Sequence, residues 1–268
     1  MTGPADPAPR WADLRTRMLS AAVMLAVGGA EIWLGGTTFA ALVVLLIGLM
    51  LWELASMTAP ARRKTPITLG IAAGAALTAA LVLRSDLAAL FLMAPTLMLV
   101  LTPRRDRRLV GAYALAIMLA GYGLVTLRYE AGPISVLWIV AVVVASDVLG
   151  YVAGRMLGGP KFWPAISPKK TWSGTVAGWI GAAAVGLGFW LGGHGGWALV
   201  PLSALVALAG QMGDILESWV KRRAGVKDAS NLIPGHGGVL DRFDALIGAV
   251  VLVLVLQLVV PIDRLIGL

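Results

Sequence analysis

Asp214, Glu217 and Ser218 are spaced i, i+3, i+4 within an apolar stretch, so a helix would carry all three on one face. Asp241 and Asp244, again i and i+3, open the next apolar stretch. Carboxylate oxygens are hard ligands, and two acidic faces on adjacent helices could hold one or two hard cations. Asp147, Asp228 and Glu53 are further acidic residues in or beside apolar segments, where a charge is costly and is a functional candidate for that reason. The same carboxylates could instead form buried ion pairs with Lys221, Arg222 and Arg242. Spacing alone leaves both uses open.

Between the two acidic faces runs KRRAGVKDASNLIPGHGGVL, residues 221–240. Lys221, Arg222 and Lys227, with Arg242 just beyond, could bind phosphates, and Asn231 adds a polar contact. Gly235, Gly237 and Gly238 would let the backbone approach a ligand and point N–H groups at oxyanions. His236 lies among these glycines and joins Asp214, Asp241, Asp244 and Lys221 as a catalytic candidate. Glycines of this kind could equally make a tight turn. A second polar segment, GGPKFWPAISPKKTWSG at 158–174, sets Lys169 and Lys170 beside Ser167, Thr171 and Ser173, a compact set of cation and hydroxyl donors for phosphate. It could also be an ordinary basic loop.

The positioning elements follow from hydropathy. The chain is 59% hydrophobic and 13% charged, with a mean hydropathy of +0.85, which makes the bilayer its natural solvent. Apolar runs predict nine transmembrane helices: Met18–Leu34, Phe39–Met57, Pro66–Leu83, Leu87–Leu101, Leu109–Leu127, Ile134–Ala153, Thr175–Leu191, Trp197–Val220 and Phe243–Val260. The fourth is short and contains Pro95, so a kinked or re-entrant segment is an alternative there. With the N-terminus inside, 19 of the 22 basic residues fall on the cytoplasmic side, leaving Arg84, Arg128 and Arg264 outside. Trp33, Trp138, Trp190 and Trp197 then sit near the outer ends, and Trp11, Trp52 and Trp219 near the inner ends. The acidic residues all fall in the cytoplasmic half, so the site should open to the cytoplasm. The expectation is an all-α polytopic bundle with a cytoplasmic tail over 1–17 and one transmembrane domain over 18–268.

Several chemistries are excluded. No cysteine is present, so there is no disulfide, thiolate nucleophile or cysteine-based metal site. His194 and His236 are too few for a histidine metal cluster, which leaves carboxylates and a hard ion such as Mg²⁺. The net charge of +8 follows from topology, not from a nucleic-acid surface. Neither a P-loop, a strand-borne G-x-G-x-x-G, an H-E-x-x-H nor a G-x-S-x-G elbow occurs. An ion-coupled transporter is the rival reading, because intramembrane carboxylates also build ion pathways, but it predicts acidic groups near the midplane and repeats.

The run SWVKRRAGVKDASNLIPGHGGVLDRFD, Ser218 to Asp244, resembles the signature of the phosphatidate cytidylyltransferase family, also called CDP-diglyceride synthetases. It fits S-x-[apolar]-K-R-x4-K-D-x-[small]-x2-[apolar]-[P/G]-x-H-G-G-[apolar]-x-D-R-[apolar]-D at every specified position. G-D-x-x-E-S at 213–218, SPKKTWSG at 167–174 and D-x2-G-Y-x2-G-R at 147–155 are similar to the family pattern as well, so the resemblance covers the C-terminal half. It implies a polytopic fold in the inner membrane and a Mg²⁺ requirement, with a second ion possible. It also implies a homodimer, and CTP and phosphatidate as substrates for CDP-diacylglycerol. Asp214, Asp241 and Asp244 become the expected metal carboxylates. Attack by one polyanion on another implies that cations, more than a general base, carry the catalysis.

Overall fold

The computed structural model describes residues 10–59, 64–83 and 87–261, with side chains from residue 18 onward. The N-terminal segment through Pro9, the side chains of Arg10, Trp11, Arg15 and Arg17, and Arg62, Arg63, Arg84 and Arg264 lie outside the described residues. Among those described, nine helices succeed one another: α1 (Arg10–Leu34), α2 (Gly36–Thr58), α3 (Thr65–Leu83), α4 (Ala88–Leu101), α5 (Arg107–Glu130), α6 (Gly132–Leu157), α7 (Trp172–Leu191), α8 (Leu199–Ala224) and α9 (Leu240–Gln257). Six of them, α2, α3, α5, α6, α7 and α8, are long and apolar enough to cross a membrane. The chain is a helical membrane protein.

Two of the other helices have local reasons for falling short. Helix α1 begins at Arg10, ahead of the apolar run Met18–Leu34, and Ala12, Leu14 and Arg15 at its start are good helix formers. Helix α4 stays helical through Pro95, but its 14 residues reach only about 21 Å, against a hydrocarbon core of about 30 Å. Helix α9 starts with the charged residues Asp241, Arg242 and Asp244.

An element not expected from sequence lies between α6 and α7. Strands β1 (Lys161–Trp163) and β2 (Ser167–Thr171) form an antiparallel hairpin, with Lys161 opposite Thr171 and Trp163 opposite Ser167. The pairing satisfies backbone groups that a bare loop would leave to water, and its faces are too evenly exposed to write an apolar alternation.

Helices α2 to α5 pack on one another in sequence, as do α6 to α9, and α5 joins the halves by packing on both α6 and α9. Leu51, Leu54, Leu77, Ile117, Met118, Trp138, Ile139 and Leu199 are fully buried between them. Outward faces are apolar: Ile71, Leu101, Met156 and Leu157 are each more than two thirds exposed, as suits lipid. Polar contacts gather the C-terminal ends of α2 and α8 with the N-terminal ends of α5 and α9. Arg104 donates to Thr58 Oγ1 at 2.7 Å, and Arg223 pairs with Asp106 at 2.6 Å. At the opposite end Arg128 donates to the carbonyls of Ile32 and Trp33, closing the last turn of α1. The bundle therefore has one strongly polar end.

Helices α8 and α9 cross at glycines. A Cβ on Gly213 would stand 2.4 Å from the Asp244 carbonyl oxygen, and one on Gly248 would stand 2.2 Å from that of Ala209. No side chain fits either place, so the two backbones touch. Gly213→Val is expected to force them apart, lowering the melting temperature and cutting activity by at least about tenfold. Wild-type values for both in the purified variant would refute this account of the crossing.

Candidate active site

The backbone contact at Gly213 brings the acidic faces of α8 and α9 together. One oxygen from each of Asp214, Glu217 and Asp244 lies within 4.8 Å of the others. Glu217 is fully buried. It pairs with Lys221 through Oε2, while Oε1 accepts no hydrogen bond among the described residues. Asp214 is paired at 2.5 Å with Lys170, which comes from β2, and accepts a bond from Ser218 Oγ at 3.3 Å. Asp244 accepts from its own following amide, Ala245 N–H, at 2.7 Å. An unmade bond to a buried anion costs about 1–3 kcal/mol or more, so an arrangement with an unpaired carboxylate oxygen is matched to a further cationic partner. The donor set is all carboxylate oxygen, which fits a hard divalent cation.

Asp241 is differently employed. Its Oδ1 accepts from Lys221 at 2.7 Å, and its Oδ2 from the backbone N–H of Gly238 at 2.7 Å and of Ala229 at 2.9 Å. It thereby ties both ends of the 229–238 loop to the start of α9. Lys221 is shared between Glu217 and Asp241, so its ammonium neutralises carboxylates in this arrangement. Of the two uses weighed from the sequence, ion pairs engage Asp214, Glu217 and Asp241, while Asp214, Glu217 and Asp244 also keep the close grouping that a cation would need.

The loop itself is a tight turn. Ile233 and Gly237 exchange backbone bonds at 2.7 and 3.2 Å, and Gly235 and Gly237 adopt φ of 76° and 85°, which favours glycine. Beneath the turn lies Glu53 of α2, fully buried, accepting from Ser230 Oγ at 2.5 Å, Val239 N–H at 2.9 Å and Leu240 N–H at 2.7 Å. Glu53 thus caps the N-terminus of α9 across the whole fold. A Cβ on Gly238 would meet Glu53 Oε1 at 2.6 Å, which is why the backbone can settle onto the carboxylate.

Outside the turn, Lys227, Asp228, Asn231, His236, Gly237 and Arg242 line a cleft of about 730 Å³. His236 Nδ1 hydrogen-bonds Ser20 Oγ of α1 at 2.8 Å, so the first helix closes one side of this loop. Asp147 is exposed on α6, within electrostatic reach of Lys170, Asp214 and Arg242. The remaining expected phosphate contacts are scattered. Lys169 and Arg222 are exposed and do not line the cleft, and Ser167 is half-buried in β2. Thr171 is buried as the N-cap of α7, accepting from Gly174 N–H at 3.2 Å. Gly174 in turn packs against Gly150 so closely that a Cβ on it would stand 2.5 Å from the Gly150 carbonyl oxygen, which accounts for the glycines of α6 as a helix contact.

Glu53 was a candidate from its charge in an apolar run, but its role beneath the turn was not legible in the sequence. Tyr113, in the second turn of α5, gave no signal at all. It is fully buried, and its hydroxyl has no hydrogen-bond partner among the described residues.

A family model described as the cytidylyltransferase family matches residues 15–260. The phosphatidate cytidylyltransferase of Brucella abortus (strain 9-941) is 36% identical over 252 residues, covering 90% of this chain and 92% of the relative. That of Brucella melitensis is 35% identical over the same length. The phosphatidate cytidylyltransferase of Helicobacter pylori (strain J99) is 42% identical over 118 residues, 43% of this chain and 44% of the relative. Extending from the first helix into the last, the match takes in both the carboxylates and the loop that α2 supports, and the chain belongs to the cytidylyltransferase family.

Proposed function

We propose that this chain joins CTP to phosphatidate, forming CDP-diacylglycerol and pyrophosphate for phospholipid synthesis. The observation that carries the reading is an acidic centre, the half-buried Asp214 and Asp244 around the buried Glu217, at the polar end of a membrane bundle that also holds a basic cleft with Lys227 and Arg242. A water-soluble nucleotide and a membrane-bound lipid can both reach such a place. In the reaction, an oxygen of the phosphatidate phosphate attacks the α-phosphorus of CTP, and the bond from that phosphorus to the bridging oxygen of pyrophosphate breaks. A phosphomonoester has a second pKa near about 6, so the nucleophile is already ionised at neutral pH and needs no strong base.

What the protein must supply is relief from repulsion between anions, together with alignment. Lys227 and Arg242 hold phosphates in the cleft, with Asn231, His236 and the 235–238 backbone shaping it. Lys170, drawn toward the centre by Asp214, is placed to meet a phosphate as well. Lys221 holds Glu217 and Asp241 in position, and Asp241 holds the loop. Asp214, Glu217 and Asp244 would hold Mg²⁺, which when bound supplies positive charge for the triphosphate and the departing pyrophosphate. Lys170→Gln is expected to lower kcat/KM for CTP by about tenfold to a hundredfold, measured at saturating phosphatidate.

The same reading has nine spans in the inner membrane and an N-terminus on the cytoplasmic side, with residues 18–268 acting as one domain and the polar end facing the cytoplasm. The clustering of described basic residues at that end supports it. A homodimer belongs to this reading too. The test is to incubate purified protein with labelled CTP, phosphatidate and Mg²⁺ and look for labelled CDP-diacylglycerol. Product that requires both substrates supports the assignment. No product beside active detergent-matched controls would sink it, and ion-coupled flux in liposomes without CTP consumption would favour a transporter.

A further inference from the structure

Tyr113 combines three properties that rarely coincide. Its side chain is fully buried, its hydroxyl has no hydrogen-bond partner among the described residues, and it lies one turn along α5 from Val110, which lines a cavity with Val220, one turn along α8 from Glu217. On α8, Glu217 Oε1 is also buried without a partner among the described residues. A hydroxyl donor and a carboxylate acceptor therefore stand at the same level of two packed helices without bonding directly. Tyr113 belongs to the apolar core, and a phenylalanine there keeps the buried ring and loses only the oxygen. Buried hydroxyls are kept where they have something to donate to.

We propose that Tyr113 is a positioning residue of the acidic centre, donating a hydrogen bond to a water in the hydration shell of a divalent cation held by Asp214, Glu217 and Asp244. This rests on the cation reading given above. Helix α5 then contributes to a centre whose charged members all come from α8 and α9. Donors placed behind the ligating side chains in this way orient them and tune affinity.

The test is Tyr113→Phe in the full-length, detergent-purified protein, with Mn²⁺ as the probe. Free Mn²⁺ is measured by electron paramagnetic resonance without substrates, and melting temperature is measured in EDTA and in Mn²⁺. The expected result is a roughly tenfold weaker Mn²⁺ affinity and a matching rise in the Mg²⁺ needed for half-maximal turnover. In EDTA the melting temperature should be unchanged or higher, since only an unpartnered hydroxyl is lost, while the gain on adding Mn²⁺ should shrink. Equal Mn²⁺ affinity in the two proteins would overturn the role of Tyr113 and leave the cation site standing. A lower melting temperature in EDTA, with affinity unchanged, would show that the hydroxyl serves the fold. A wild type that binds no Mn²⁺ would overturn the cation reading and this inference together.

Discussion

Asp214→Asn is expected to reduce CDP-diacylglycerol formation by roughly a thousandfold or more while membrane insertion and melting temperature stay near wild type. The asparagine keeps the size of the side chain and one oxygen for Ser218, so the local packing survives. What disappears is the negative charge. Lys170 loses its 2.5 Å partner, and the group of three carboxylates drops to two. Because the side chain is about one third exposed, neither loss endangers the fold, and the effect should fall on turnover. Radiolabelled product formation with melting curves on the same preparation separates the two. Substantial activity in a well-folded variant would remove Asp214 from the centre.

Glu53→Gln should be nearly as damaging, although Glu53 touches none of the three carboxylates. Its two oxygens accept from Ser230, Val239 and Leu240, and hydrogen bonds to a charged group contribute about 1.5–3 kcal/mol each. In the amide, one end becomes a donor that faces a backbone N–H, so α9 loses part of its cap and the 229–238 loop loosens. Expected results are a fall of about a hundredfold in kcat/KM for CTP and faster trypsin cleavage after the exposed Lys227. Unchanged proteolysis together with unchanged kinetics would show that α2 does not position the loop.

These two residues mark how far the sequence could be read. Asp214 stood out because its spacing to Glu217 and Ser218 obeys helical periodicity, a property of neighbours along the chain. Glu53 is separated from Val239 by 186 positions, and no local pattern connects them. The hairpin at 161–171 was missed for a related reason: its strands are short and exposed on both faces, so they carry no alternation. Helix α4 showed its irregularity in advance, since length and Pro95 are visible in the sequence, yet the backbone remains helical through the proline.

The sequence by itself determined the solvent, the helical class, the gathering of charge at one end and the family signature. Hydropathy and i, i+3 spacing act on single helices, and a signature is linear, so no folding is needed to see them. Tertiary structure alone decided which carboxylates meet. Asp241 and Asp244 look equivalent along the chain, but Asp241 is consumed by Lys221 and two loop amides, while Glu217 is turned inward to join Asp214 and Asp244. The physical reason is the bare glycine contact between α8 and α9, which fixes how the two acidic faces are rotated against each other.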